Sequence, residues 1–177
     1  AQSGSSRILK KMNRTYTREW YEMKYNRIKK ILPNCSISCD IITGFCSETE
    51  DDHKDTLELL VKCPFEFSYM YYYSERPGTL AMRKYEDDVV EDIKKRRLSE
   101  VISVQHDIAK KLNIAQEGKV QRVLIEMQSK KNEDEWMGRN EQNIKVIFPK
   151  DNYNMGDIVD VLIERSTTTS LIGKGVT

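Results

Sequence analysis

Asp40-Ile41-Ile42-Thr43-Gly44-Phe45-Cys46-Ser47-Glu48-Thr49 decides the fold. Its first half is a compact apolar run, which predicts a buried strand within residues 36–45 that ends in a turn. Its last residue, Thr49, is followed by Glu50, Asp51 and Asp52. A small capping side chain before a group of acids opens a helix, because both suit the positive end of the helix dipole. Leu57, Leu60 and Val61 continue the apolar face of that helix. Upstream, Thr17 caps a helix over residues 17–32, with Tyr21, Tyr25, Ile28 and Leu32 on one face and Pro33-Asn34 as its stop. Downstream, residues 65–73 are aromatic and strand-like, and residues 74–79 form a turn. Helix, strand, helix, strand implies a parallel sheet with right-handed crossovers. Two strands do not make a stable open sheet with a two-sided core. Residues 1–84 are therefore expected to be a slice of a larger α/β sheet or barrel.

The pattern then changes twice. Val90, Ile93, Arg97, Val101, Val104, Ile108 and Leu112 step by three and four, which predicts one long amphipathic helix from Asp88 to about Leu112, within a segment 85–117. After Gly118 the period becomes two. Val123, Ile125 and Met127, then Ile144, Val146 and Phe148, then Val159, Val161 and Ile163 mark alternating strands. Gly138, Pro149, Asn154 and Gly156 punctuate them, and residues 168–172 supply a last short strand. About five short strands in residues 118–177 suggest a small, partly closed antiparallel barrel of the OB kind, a fold that often binds oligonucleotides. The expected class is thus α/β, with a long helix leading to a small β-barrel.

Composition excludes several classes. The chain has 177 residues, 38% hydrophobic and 32% charged, with a formal net charge of +1. That is too apolar for a wholly disordered chain, and no apolar run approaches the roughly 18 residues of a membrane span. The start has no basic region followed by an apolar one, so no signal peptide is expected there. The lack of an initial Met and the unfinished sheet lead us to expect a fragment. Residues 1–32 carry nine basic side chains against Glu19 and Glu22, whereas residues 118–177 carry nine of each sign. The four cysteines, Cys35, Cys39, Cys46 and Cys63, match no zinc spacing. They are read as free, partly buried thiols in a reducing cytoplasm. His53 and His106 lie in polar helical contexts and are expected to be solvated.

Four segments in one order carry a resemblance. Gln2-Ser3-Gly4-Ser5 leads to Leu9, Met12, Arg14 and Tyr16-Thr17; then come Asp40 to Thr49, and Tyr73-Ser74-Glu75-Arg76-Pro77-Gly78-Thr79-Leu80-Ala81. The fourth is Ser129-Lys130-Lys131-Asn132-Glu133-Asp134-Glu135 with Gly138-Arg139 and Asn143. Together they resemble the radical S-adenosylmethionine methylthiotransferases, whose last domain is the RNA-binding TRAM barrel. The fourth segment most resembles the branch that methylthiolates N6-isopentenyladenosine beside the tRNA anticodon, at position 37. Sibling enzymes act on threonylcarbamoyladenosine in tRNA or on a ribosomal-protein aspartate. A stand-alone RNA-binding module is the alternative from another class. Cys46-Ser47 departs from the family's usual Pro-Gly, which bears on the turn because Pro fixes φ and Gly tolerates positive φ.

The resemblance implies S-adenosylmethionine and two [4Fe-4S] clusters as cofactors. The cluster ligands are expected upstream of residue 1, which would leave this chain alone inactive. The implied partners are the tRNA anticodon stem-loop and a reductant protein, with no membrane. A cytoplasmic monomer is expected for the full-length enzyme, and self-association for the fragment through its open sheet edge. Gln2 and Ser3 are expected to bond S-adenosylmethionine, although Ser3 could equally cap a helix. Arg14 matches a carboxylate in bidentate geometry. Ile42 and Gly44 would support the adenine, Gly44 because it has no Cβ. Glu48 is expected to steady the following helix. Asp40 faces the mouth or merely starts the strand. Arg76 is a substrate or phosphate contact. Lys130, Lys131, Arg139 and Lys145, with Lys119 and Arg122, are expected to track a phosphate backbone while Trp136 and Phe148 stack bases.

Overall fold

The computed structural model describes residues 1–176. The chain divides into two compact units, Ala1–Ile108 and Ala109–Thr177. The first unit begins with α1 (Ser6–Lys11) and α2 (Arg18–Ile31), followed by β1 (Ser38–Thr43), α3 (Glu50–Lys62), β2 (Phe67–Tyr72) and α4 (Leu80–Lys84). The long helix α5 (Glu91–Ile114) contributes its first turns here and its last turns to the second unit. Thr17 caps α2 by accepting from the Trp20 N–H, and Thr49 caps α3 in a reciprocal capping box with Asp52.

β1 and β2 pair in parallel, from Ser38 opposite Phe67 to Thr43 opposite Tyr72. The Ile42 N–H donates to the Gln2 carbonyl at 2.9 Å, so the start of the chain runs along the other edge of β1. Side chains of β1 alternate. Cys39, Ile41 and Thr43 are buried, and Ile41 packs with Leu59, Leu60, Phe65, Tyr25 and Val101. The opposite face, with Asp40 beside Tyr69 and Ile42 beside Tyr71, is open; both tyrosines are more than half exposed. The strand expected to be buried is therefore buried on one face only.

Helix α5 (Glu91–Ile114) is the long helix expected, with more polar burial on its inner face than Arg97 alone. It starts at Glu91, three residues later than expected, and Val90 is exposed. Its inner face carries buried Lys94, Arg97 and Gln105 as well as Val101. Each polar group has a partner in a loop. Lys94 Nζ donates to Asp87 at 2.5 Å, Arg97 to Glu48 at 3.0 Å, and the Gln105 amide to the Phe65 carbonyl at 2.8 Å. This end of the helix packs on loops that expose carbonyls and carboxylates, so polar side chains replace hydrocarbon there. His53 is also buried, not solvated; its Nε2 lies 2.7 Å from Glu100 on α5. His106 is exposed, as expected.

The turn after β1 explains itself through Ser47, whose φ is +63°. It occupies the position where the family pattern places glycine. Its N–H donates to Asp88 at 2.6 Å, its carbonyl accepts from Arg7 at 2.7 Å, and its hydroxyl meets Lys11. These contacts hold a non-glycine residue in a region that costs about 1–2 kcal/mol.

The second unit is a closed barrel of β3 (Val120–Gln128), β4 (Glu135–Asn140), β5 (Lys145–Pro149), β6 (Ile158–Ser166) and β7 (Ser170–Gly175). The order around it is β3-β4-β5-β7-β6, and β6 returns to β3. Two features differ from expectation. The barrel is fully closed, and β5 pairs with β7 in parallel while every other pair is antiparallel. Bulges at Ile125/Met127 and Ile163/Arg165 supply the bending that closure needs. Val123, Ile125, Val146, Phe148, Val161, Ile163 and Leu171 fill the interior. Gly138 lies inside β4 rather than in a turn. A Cβ there would stand 2.3 Å from the Leu124 carbonyl oxygen.

Candidate functional site

Along the open face of β1 and β2 and past their C-terminal ends lies a groove of about 580 Å³. Gln2, Arg14, Ile42 and Arg76 line it, so four of the residues singled out in the sequence meet there. Asp40, Tyr71 and Tyr73 join them. A smaller hollow of about 190 Å³ shares Arg14, Ile42, Tyr73 and Ala81 with the groove and adds Met12, Phe45 and Leu80. The alternation of β1 sets this arrangement. Asp40 and Ile42 point to the open face because Cys39, Ile41 and Thr43 point to the core.

Ser3 and Gly44 do not line the groove. Ser3 is fully buried; its hydroxyl lies 3.3 Å from the Thr56 hydroxyl and accepts from the Ser5 N–H at 3.1 Å. Gly44 has φ +68° and packs against the Lys94 stem, where a Cβ would come within 2.3 Å of Cγ. Its N–H donates to Glu48 at 2.8 Å. Glu48 in turn accepts from Arg97, and both side chains are almost completely buried. Burial pushes the Glu48 carboxyl up, against the pull of Gly44 and Arg97. Ser3, Gly44 and Glu48 are thus packed inside the unit and do not line the groove.

The lining of the groove combines polar and aromatic side chains. Among the described residues Arg14, Arg76 and Asp40 make no ion pair. That leaves two guanidinium groups and a carboxylate available to a ligand. The Tyr73 hydroxyl is buried without a hydrogen-bond partner, and burial pushes its pKa up to about 12. Lys94 Nζ sits 5.2 Å from the centre of the Tyr73 ring, and Phe45 meets that ring edge-on at 4.9 Å. The sequence placed Tyr16 in the first motif segment without a role, and its hydroxyl donates to Gln2 Oε1 at 2.7 Å. The signal was its place just before the helix cap Thr17.

The barrel separates its predicted contacts into two groups. Lys130 and Lys131 are exposed in the β3–β4 loop. Arg139 and Lys145 pair across β4 and β5 at the far end of β4. Arg139 lies four residues along the strand from Glu135, about 13 Å at ~3.3 Å per residue. Arg139 pairs with Glu126 at 3.2 Å and donates to the Asn143 carbonyl at 3.0 Å. Phe148 is a core residue, 1% exposed, and has no face to offer a base. Trp136 is half-buried, donates to the Tyr153 carbonyl at 3.2 Å, and lies 4.8 Å below Lys150 Nζ. Among the described residues, no three His, Cys, Asp or Glu side chains come together to hold a metal ion. No helix of the described residues is long and apolar enough to cross a membrane.

An α/β unit with a groove at its strand ends, joined in sequence to a closed five-stranded barrel, defines the class, and residues 115–176 match the TRAM domain. Over nearly its whole length the chain is similar to proteins named tRNA-2-methylthio-N(6)-dimethylallyladenosine synthase. The one from Amoebophilus asiaticus is 54% identical over 174 residues, which is 98% of this chain and 36% of that protein. The one from Christiangramia forsetii is 51% identical over 175 residues, 99% of this chain and 36% of that protein. The one from Bacteroides fragilis is 46% identical over the same length, 38% of that protein. The chain therefore spans a little over a third of these relatives, and the resemblance read from its motifs holds from end to end.

Proposed function

We infer that the chain is part of a tRNA-modifying enzyme that converts N6-isopentenyladenosine, at position 37 beside the anticodon, to its 2-methylthio derivative. The observation that carries this reading is identity of about half, maintained along 98% of the chain, to synthases named for that product. The groove of residues 1–84 holds S-adenosylmethionine, and the barrel of residues 118–177 holds the anticodon stem-loop.

The residues present fit that small molecule. Arg14 offers a bidentate partner for the carboxylate of its methionine end. Asp40 and Gln2 suit hydroxyl groups or the amine, and Ile42 and Tyr73 offer flat apolar surface to a purine. When bound, S-adenosylmethionine supplies a radical for hydrogen abstraction and a methyl group for transfer. The chain's own residues bind and orient it. They do not fit an iron–sulfur cluster, since no set of ligands converges among the described residues. In this reading the clusters are held by another part of the full-length enzyme and reduced by a separate protein. In the barrel, Lys130, Lys131, Arg139 and Lys145 contact phosphates, which gives affinity without reading sequence. The enzyme acts in the cytoplasm, as a monomer.

The test is nucleoside analysis. The full gene containing this chain is expressed in a bacterium lacking its own synthase, and digested tRNA is examined by mass spectrometry. The 2-methylthio-N6-isopentenyl nucleoside is expected to reappear. A methylthio group on threonylcarbamoyladenosine instead would assign the sibling activity, and no methylthio nucleoside would overturn the reading.

A further inference from the structure

Helix α2 begins with a clamp that fixes a side chain lying outside the helix. Thr17 is its cap, and Tyr16 precedes the cap. The Tyr16 ring packs against Tyr21 at 5.9 Å between centres and stacks on Trp20 at 5.6 Å. Contact between the residue before the cap and the fourth residue of the helix fixes how the chain enters. Here it also aims the phenol, which donates to Gln2 Oε1 at 2.7 Å. Burial pushes the Tyr16 pKa up, so the group remains a donor at neutral pH. Gln2 is held from its other end as well, because its carbonyl accepts from the Ile42 N–H.

A glutamine amide has one acceptor oxygen and one NH2 with two donor hydrogens. Tyr16 occupies the oxygen. Among the described residues the NH2 has no partner, and Gln2 lines the groove with Arg14. We propose that Tyr16 is a positioning residue: by holding the Gln2 oxygen it turns the Gln2 NH2 toward the groove, which therefore selects a ligand carrying a hydrogen-bond acceptor at that point. The inference rests on the groove being the S-adenosylmethionine site and adds the polarity of one contact. The acceptor is an oxygen or ring nitrogen of the nucleoside sulfonium, and Tyr16 itself touches no ligand.

The test uses the full-length protein and equilibrium dialysis with S-adenosylmethionine. Tyr16→Phe keeps the ring and its packing, so its melting temperature is expected to match the parent while affinity falls about fivefold, the weight of one hydrogen bond. Gln2→Ala is expected to lose at least as much. The double variant is expected to be no weaker than Gln2→Ala alone, because the two side chains act as one unit. Gln2→Glu decides independently of how Tyr16→Phe folds. It replaces the donor with an oxygen and is expected to bind more weakly than Gln2→Ala. Parent-like affinity in Tyr16→Phe or Gln2→Glu, or additive losses in the double variant, would overturn the inference. Failure of the parent protein to bind S-adenosylmethionine would overturn the reading of the groove itself, and the inference with it.

Discussion

The two units solve the problem of a small sheet in opposite ways. The barrel closes on itself, so each strand has two neighbours and the interior is hydrocarbon from Val123 to Leu171. The α/β unit leaves one sheet face open and fastens its loops with buried charge, above all Glu48 with Arg97 and Lys94 with Asp87. A fold that offers only its outer surface can be stabilised by apolar burial inside it. A fold that keeps a groove open must instead fix the loops around it, and directional polar contacts do that.

The largest expected effects set these two strategies side by side. Arg97→Ala strands the buried Glu48 carboxylate and is expected to cost about 3–5 kcal/mol. Phe148→Ala is expected to cost a similar ~3–5 kcal/mol through a cavity in the barrel. Hydrogen exchange separates them: the first should expose amides of β1 and α3, the second those of β3 to β7. The comparison sharpens with Glu48→Gln plus Arg97→Met. That pair removes both charges and keeps an acceptor for the Gly44 N–H, so more than half the loss is expected to return in urea melts. No recovery would mean that the ion pair itself, not the avoidance of a lone charge, holds the loop.

Acid should act chiefly through the charged unit. Glu50 is held down by hydrogen bonds from Arg97 and Arg96, from its usual 4.5 to about 2. Burial pushes Asp52 up, but hydrogen bonds from Arg7, Ser5 and Thr49 outweigh it and leave the carboxyl well below the usual range. A depressed carboxylate contributes stability above its unfolded pKa and loses it as pH falls through the folded value. The urea midpoint is therefore expected to drop from about pH 4.5 downward, with Glu48 opposing the trend because its pKa is raised. His53 adds a milder step. Burial lowers its pKa below the usual 6.5 despite Glu100. The unfolded chain then takes up the proton first, and stability falls as pH drops below about 6.5. His53→Gln should flatten the urea midpoint as pH falls below 6.5.

The smallest effect concerns the turn. Ser47→Gly removes the positive-φ strain while keeping the backbone contacts to Arg7 and Asp88. It is expected to raise stability by up to ~1 kcal/mol in thermal melts. A loss of stability would show that the Ser47 hydroxyl, bonded to Arg7 and Lys11, outweighs the strain.

Local chemistry made much of this legible. Thr17 and Thr49 cap where their spacing predicts, and two-residue alternation locates the barrel strands. What stayed hidden depends on partners far along the chain. Arg97 sits on a stripe of apolar spacing, and only contact with Glu48 explains its burial. His53 gives no local sign of Glu100, and no periodicity announces that β5 meets β7 in parallel. The groove was half legible for a geometric reason. Gln2 and Ser3 are neighbours, yet Gln2 lines the groove while Ser3 turns inward to Thr56. A motif names both residues but says nothing of their direction.

Division of labour between the units is the central claim, and paired binding measurements on the full-length protein test it. Affinity for an anticodon stem-loop and for S-adenosylmethionine is compared in Lys131→Ala plus Arg139→Ala and in Arg14→Ala. The barrel variant should lose RNA affinity, with a shallower salt dependence, and keep the small molecule. The groove variant should do the reverse. Unchanged RNA binding in the barrel variant, or loss of RNA binding in Arg14→Ala alone, would contradict the account.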